Sequence, residues 1–450
     1  MKPVSSSRFA ATLLLLAGCG MSHFANALPS YARQTGQPCE SCHVGGFGPQ
    51  LTPFGQSFKL GGYTLGGGAS DFDLPLSGMA VITHETTDAD LPGDAGPHDG
   101  PNNNTNLQEA SLFVAGRLTD HVGTFSQITY SDIDRRLALD NVDVRYSNTG
   151  SLLDKSLSWG VSFNNNPTLQ DPWNTLPAWR YPYTASELAP APGAATLING
   201  GLEHQVLGAS LYGMWDNHFY AELGGYRSLS ASLLNKLEVD DEAGRISGAA
   251  PYWRLAYTDT IDGHNFMIGT FGLKAALHPG RNPGDTDTYT DTGLDAAWQY
   301  AATPEHYFTA NASYVREHQQ LDYSFEQGLA AGNSLHLGEF NLNASWHFRN
   351  TYGMTVGYFN THGTGDALLY APDPLDGSRV GSPDSSGYIA QFDWTPFGKR
   401  NSWGSPWANL RLGAQYVTYT DFNGASTNYD GSGRDAHDNN TLYFFAWFAF

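Results

Sequence analysis

The chain ends on Leu442-Tyr443-Phe444-Phe445-Ala446-Trp447-Phe448-Ala449-Phe450. Successive side chains of a strand point to opposite faces, so Leu442, Phe444, Ala446, Phe448 and Phe450 form one apolar stripe. A strand with such a stripe needs something apolar to face. Working back from it, the chain repeats the pattern. Segments of about ten residues alternate apolar and polar, with turn residues between them, the signature of an outer-membrane barrel. Candidate strands fall near 77–86, 108–118, 122–131, 140–147, 157–164, 203–215, 218–227, 251–261, 265–276, 289–301, 306–317, 335–348, 351–362, 387–396, 407–419 and 440–450. The predicted fold is therefore all-β: a transmembrane antiparallel β-barrel of about sixteen strands, an even number as bacterial single-chain barrels have.

The connections keep the same rhythm. Long ones span 87–107, 165–202, 228–250, 318–334, 363–386 and 420–439. Short ones are Thr119-Asp120-His121, Asp216-Asn217, Asp262-Gly263-His264 and Thr303-Pro304-Glu305. Short periplasmic turns and long extracellular loops are what such a barrel requires, with both termini periplasmic. Composition agrees. Of 450 residues, 40% are hydrophobic and only 15% charged, with 51 glycines. No segment after the leader approaches the ~18 apolar residues of a spanning helix. A soluble lectin-like sandwich would explain neither the long–short rhythm nor the bare aromatic end. The formal charge of −21 argues against nucleic acid and favours cations or cationic partners.

Residues 1–27 read as a secretory signal. Lys2 and Arg8 precede an apolar run from Phe9 to Ala17, and Ala25-Asn26-Ala27 places cleavage before Leu28. Leu16-Ala17-Gly18-Cys19 also resembles a lipoprotein cleavage box, which would leave Cys19 lipid-bearing. After cleavage at Ala27 the two remaining cysteines lie in one motif, so no structural disulfide is expected despite an oxidising compartment.

That motif is Cys39-Glu40-Ser41-Cys42-His43. Cys-x-x-Cys-His is the attachment signature of c-type haem. Two thiols at this spacing can each bond one haem vinyl group, and the adjacent imidazole can ligate the iron. A zinc site would need further Cys or His nearby, and a redox pair needs no adjacent His. Cys39 and Cys42 are thus the expected covalent attachment points and His43 the expected axial ligand of one haem c. Phe47, Phe54, Phe58 and Tyr63 supply a small core, and Gly66-Gly67-Gly68 reads as a hinge. Met79 and His84 are the nearest candidates for the second axial position, which could equally be open or water-bound. The domain layout expected is a leader at 1–27, a haem-binding segment at 28–70 acting as a plug, and a barrel at 71–450.

A weak repeat places His121, His218, His264 and His306 where strands restart after short turns. An amphipathic ring beside an aromatic girdle explains these better than metal ligation. In the first long connection, Asp94, His98 and Asp99 are candidates for attracting a hard cation such as Fe(II), since carboxylates suit it.

Two resemblances add to this reading. The terminal Phe450 resembles the signal read by the barrel-assembly machinery. The run Ala32-Arg33-Gln34-Thr35-Gly36-x-x-Cys39-x-x-Cys42-His43, followed by Pro49-x-Leu51-x-x-Phe54-Gly55-x-x-Phe58-Lys59-x-x-Gly62-Tyr63, resembles the fused monohaem cytochrome–porins of the outer membrane, whose best-known members are iron oxidases. The match covers about forty residues, and the barrel agrees in architecture and length. The resemblance implies a single haem c held in or against a sixteen-stranded barrel. It also implies electron passage between an extracellular donor, expected to be Fe(II), and a periplasmic c-type cytochrome or other electron carrier, an Fe(II):cytochrome c oxidoreductase-type transfer. The glycine-rich Val44-Gly45-Gly46-Phe47-Gly48 is not the spacing expected of the iron oxidases, which leaves open a subgroup whose donor is not iron. Two alternatives stay open: a porin whose haem segment plugs or gates the pore, and a haem sensor or peroxidase.

Overall fold

The computed structural model describes residues 28–66 and 75–450. The leader with Cys19, and Gly67-Gly68 of the expected hinge, lie outside the described residues.

Sixteen antiparallel strands form one closed wall, from Leu76–Thr87 to Thr441–Ala449. Each of the sixteen predicted segments is a strand, with ends moved by a few residues. A further two-residue strand, Arg245–Ile246, pairs with the end of His264–His278 and belongs to a connection, not to the wall. Closure joins the first strand to the last: Met79 pairs with Ala449, and Phe450 and Gly78 exchange backbone bonds of 2.9 and 2.6 Å.

The two faces of the wall invert the pattern of a soluble protein. Outward residues are apolar and exposed, among them Leu223, Ile268, Leu211, Leu294 and Val356. Inward residues are buried and mix polar side chains, such as Gln108, Asp143, Asp295 and Glu317, with apolar ones that pack on the contents, such as Phe113 and Phe271. On the last strand Phe444, Phe448 and Phe450 are exposed while Tyr443 and Phe445 are buried, the stripe read from the sequence. An apolar exterior of this size is stable only against lipid. A closed wall also leaves no unpaired edge in the bilayer. The chain is thus an outer-membrane barrel in contact with lipid. Among the described residues no helix is long and apolar enough to cross a membrane.

The histidines at the short turns each stack on an aromatic ring. His121 meets Tyr146 at 5.7 Å and His218 meets Tyr257 at 6.0 Å. His264 lies 3.9 Å from Tyr300, and His306 lies 5.9 Å from Trp346, whose indole donates to it.

The lumen is filled from both ends. Residues 28–66 enter at the short-turn end and carry three helices: α1 (Pro29–Thr35), α2 (Cys39–Cys42) and α3 (Pro53–Leu60). They touch strands around the whole ring. Tyr31 donates to Thr124, Gln50 to Thr309, and Asn409 to the Gly46 carbonyl, while Gln299 donates to Leu51. The connection 165–205 descends from the other end. Sequence reading expects it to be one of the extracellular loops; the structure corrects this. Carboxylates on three neighbouring strands draw it inward: Glu339, Glu317 and Asp291 accept the amides of Thr196, Leu197 and Ile198 in turn. Arg180 pairs with Glu339 at 2.6 Å, and Arg254 sits buried between Asp171 and Asp295.

Candidate cofactor site

The site is assembled by the lower filling. The N-terminus of α2 brings Cys39 to the inside, and the turn of the helix sets Cys42 and His43 beside it. His43 N–H donates to the Cys39 carbonyl at 2.8 Å. Beyond His43 the chain doubles back, so that His43 pairs with Leu51 in a single antiparallel bridge. Thr52 then caps α3, accepting from the Gly55 amide at 3.3 Å. Helix α3 presses on α2 at Gly55, where any Cβ would strike the Cys42 carbonyl.

The doubling back runs through the glycine-rich stretch. Gly45 has φ of 69°, and a Cβ there would collide with the His347 ring. Only glycine combines that left-handed backbone with so close an approach. The glycine-rich stretch therefore has a packing reason: the turn lies flat against the wall at His347 and Arg411.

Cys39, Cys42 and His43 all line one cavity of about 570 Å³. It lies between the lower filling, the connection 165–205 and the first four and the last strands. Its middle is aromatic, with Phe58, Phe113, Phe125, Trp179 and Trp447. Its far end is acidic, with Glu109, Asp140, Glu187 and Glu203. Cys39 is 4% exposed. Burial pushes its thiol well above the usual range, and pushes that of Cys42 up to about 12. Burial, with the nearby Arg411 guanidinium, pulls the His43 imidazole down to about 4, so it stays neutral. Its Nδ1 is buried without a hydrogen-bond partner. A neutral imidazole with an unpartnered nitrogen is the form that ligates a metal. The cavity volume falls within the ~300–1,000 Å³ of small-molecule and cofactor sites. Two thiols, one neutral imidazole and an aromatic wall around one cavity fit a haem c.

The aromatic core expected around the motif forms in part. Phe58 and Tyr63 pack against Tyr31 at 5.0 and 5.4 Å, and Phe47 packs against Trp447 at 5.3 Å. Phe54 is the exception: it is 37% exposed. Met79 is buried and lines the same cavity as His43. His84 does not. It stands on the outward face of the first strand, 2.8 Å from Thr105 and stacked on the exposed Phe444, so it is corrected as a candidate ligand. The first strand explains the difference, because positions 79 and 84 have opposite parity. Asp94 and His98 are exposed, and among the described residues no three His, Cys, Asp or Glu side chains gather to hold a metal ion.

Sequence reading assigns no role to Lys59, His347 or Arg411. Lys59 is buried, and its Nζ donates to the Leu169 carbonyl at 2.7 Å and to Asn174 at 2.6 Å. It ties the lower filling to the upper one. The parity of their strands was the available signal for His347 and Arg411, both of which fall on inward positions.

No family model and no curated protein matches the sequence. Among solved structures the chain is similar to an anion-selective porin from Comamonas acidovorans, at 12% identity and a TM-score of 0.45 over 83% of this chain and 98% of that one. It is similar to outer-membrane expressed OmpT of Vibrio cholerae, at 10% identity and a TM-score of 0.42 over 85% and 99%. A third is the outer membrane channel DcaP of Acinetobacter baumannii, at 12% and 0.42 over 83% and 96%.

Proposed function

We propose that this outer-membrane barrel is an electron conduit of the cytochrome–porin kind, with one haem c bonded to Cys39 and Cys42 and ligated by His43. The observation that carries the proposal is the convergence of those three side chains on one cavity inside the lumen. Bound there, a haem would supply one-electron transfer, the protein setting its access and surroundings. The chain's own residues do the rest. Cys39 and Cys42 fix the position of the group, and His43 offers a neutral nitrogen. Phe113, Phe125 and Trp179 give the cavity apolar walls. Glu109, Asp140, Glu187 and Glu203, with His204 paired to Asp140, make another part of the lining polar. Fe(II) is the donor we propose, losing one electron per event to a one-electron carrier on the periplasmic side. The test is the denatured, reduced haem spectrum of the purified protein with Fe(II) stopped-flow. Covalent haem lost in Cys39→Ser/Cys42→Ser is expected. Absence of covalent haem in the wild-type protein overturns the reading; haem that Fe(II) never reduces overturns the donor alone.

A second reading is favoured by the two fillings that meet at Lys59: a porin gated by its own N-terminal segment. Ion conductance through reconstituted barrels without any redox turnover would favour it.

A further inference from the structure

One connection at the short-turn end breaks the rhythm of the rest. The others span 118–121, 153–154, 216–218, 262–263, 304–305 and 349–351; this one spans 395–408. It reads Thr395-Pro396-Phe397-Gly398-Lys399-Arg400-Asn401-Ser402-Trp403-Gly404-Ser405-Pro406-Trp407-Ala408. It carries two basic residues and no acidic one, in a chain with 44 acidic and 23 basic residues. Arg400 is exposed, Trp403 is 79% exposed and Trp407 41%. The side chains of Lys399 and Arg400 make no ion pair among the described residues.

The turn folds across the mouth of the barrel, not outward to lipid. The Glu40 amide, inside the Cys39–Cys42 helix, donates to the Gly398 carbonyl at 3.0 Å. The Glu40 carboxylate accepts from Asn350 at 3.2 Å and from the Arg400 amide. Gly46 and Gly398 pack backbone to backbone. Arg33, from α1, stacks on the Trp407 ring at 4.5 Å. An exposed aromatic–basic surface thus lies directly on the segment that holds Cys39, Cys42 and His43.

We propose that residues 395–408 are the docking surface for a soluble periplasmic redox protein that presents a carboxylate-rich face. This rests on the conduit reading and names the chemistry of its partner. Charge complementarity commits the surface to an acidic partner, because a basic one would meet Lys399 and Arg400 on a turn that carries no acidic residue. Trp and Arg are the residues that dominate binding energy at protein interfaces, and Lys399 and Arg400 would steer encounter.

The test uses the full-length protein in detergent and two forms of one probe: native mitochondrial cytochrome c, which is lysine-rich, and the same protein succinylated to carry carboxylates. Binding is measured by sedimentation at low salt, a readout that needs no haem in the barrel. The haem content of the same samples is read from absorbance, so failure of the conduit reading shows separately. The succinylated form is expected to bind at least tenfold more tightly. Lys399→Glu/Arg400→Glu is expected to abolish that preference, and Trp403→Ala to weaken binding without reversing it. Equal binding of the two forms overturns the proposal, as does a charge-reversed barrel that still migrates as folded and binds like wild type. A change confined to attachment on anionic lipid vesicles also overturns it and makes the turn a membrane anchor.

Discussion

The wall of this barrel and its contents are built on opposite principles. In the wall, each strand pairs with two neighbours, and a two-residue period separates the faces: apolar side chains meet lipid, and the alternate positions meet the lumen with a mixture of polar and aromatic side chains. In the contents, no period operates. Residues 28–66 and 165–205 are short helices, turns and irregular backbone, held by side chains that reach in from the wall. Tyr212 donates to the Leu60 carbonyl, Arg145 to Lys59 and Gln170, and Glu317 accepts from Leu197. The wall is stabilised by its solvent, the bilayer. The contents are stabilised by specific contacts, and so are more sensitive to single changes of polarity or shape than to lipid.

The sharpest break of this contrast is a charge on the lipid face. Leu223, 68% exposed at mid-strand, replaced by Arg is expected to cost about 2–4 kcal/mol, measured by denaturant unfolding in vesicles. An unchanged midpoint would mean that position 223 does not face lipid. Next is Lys59→Met, which leaves the Leu169 carbonyl and Asn174 without their donor. It is expected to cost about 1–3 kcal/mol. The loss should appear as faster amide exchange in 165–205 with the wall strands still protected. Equal loosening of wall and contents would join what the comparison separates. Gly45→Ala, strained by its φ and by His347, is expected to cost about 1 kcal/mol or somewhat more and to loosen 28–66 selectively.

The smallest effect is a pH dependence at the base of the upper filling. Burial tends to lower the His204 pKa, but the Asp140 carboxylate, 3.1 Å away, and Glu203 outweigh it and hold it above the ordinary value. A raised histidine contributes stability fully below its unfolded value of about 6.5 and loses it as pH rises through the folded value. Exchange protection of 165–205 should therefore fall as pH rises above that point, and His204→Gln should flatten the dependence. A variant that keeps the full pH dependence would assign it to another group.

The same contrast explains what the sequence could disclose. Strand positions were legible because alternation is a local signal: Val122–Ser131 falls where the pattern places it. The inward course of 165–205 was not, because its anchors, Asp291, Glu317 and Glu339, are distant in sequence. The loop's own composition held a hint. Leu169, Trp173, Leu176, Trp179 and Ile198 are costly on an exposed loop, and all but Trp179 are fully buried. At the site, Cys39, Cys42 and His43 are adjacent in the chain and could be singled out from spacing alone. His84 failed as a candidate because nearness in sequence says nothing of which face a strand residue takes. The turn at 395–408 escaped notice because its partner, Glu40, is far away along the chain.

The exchange between Phe450 and Gly78 has a consequence for how the molecule holds together. The last residue of the chain seals the ring against its first strand, around contents that touch strands from both halves. Loosening that one pair, by removing Phe450, is therefore expected to raise amide exchange in 76–87 and in the contents together, because the seam is shared by the wall and by what it encloses.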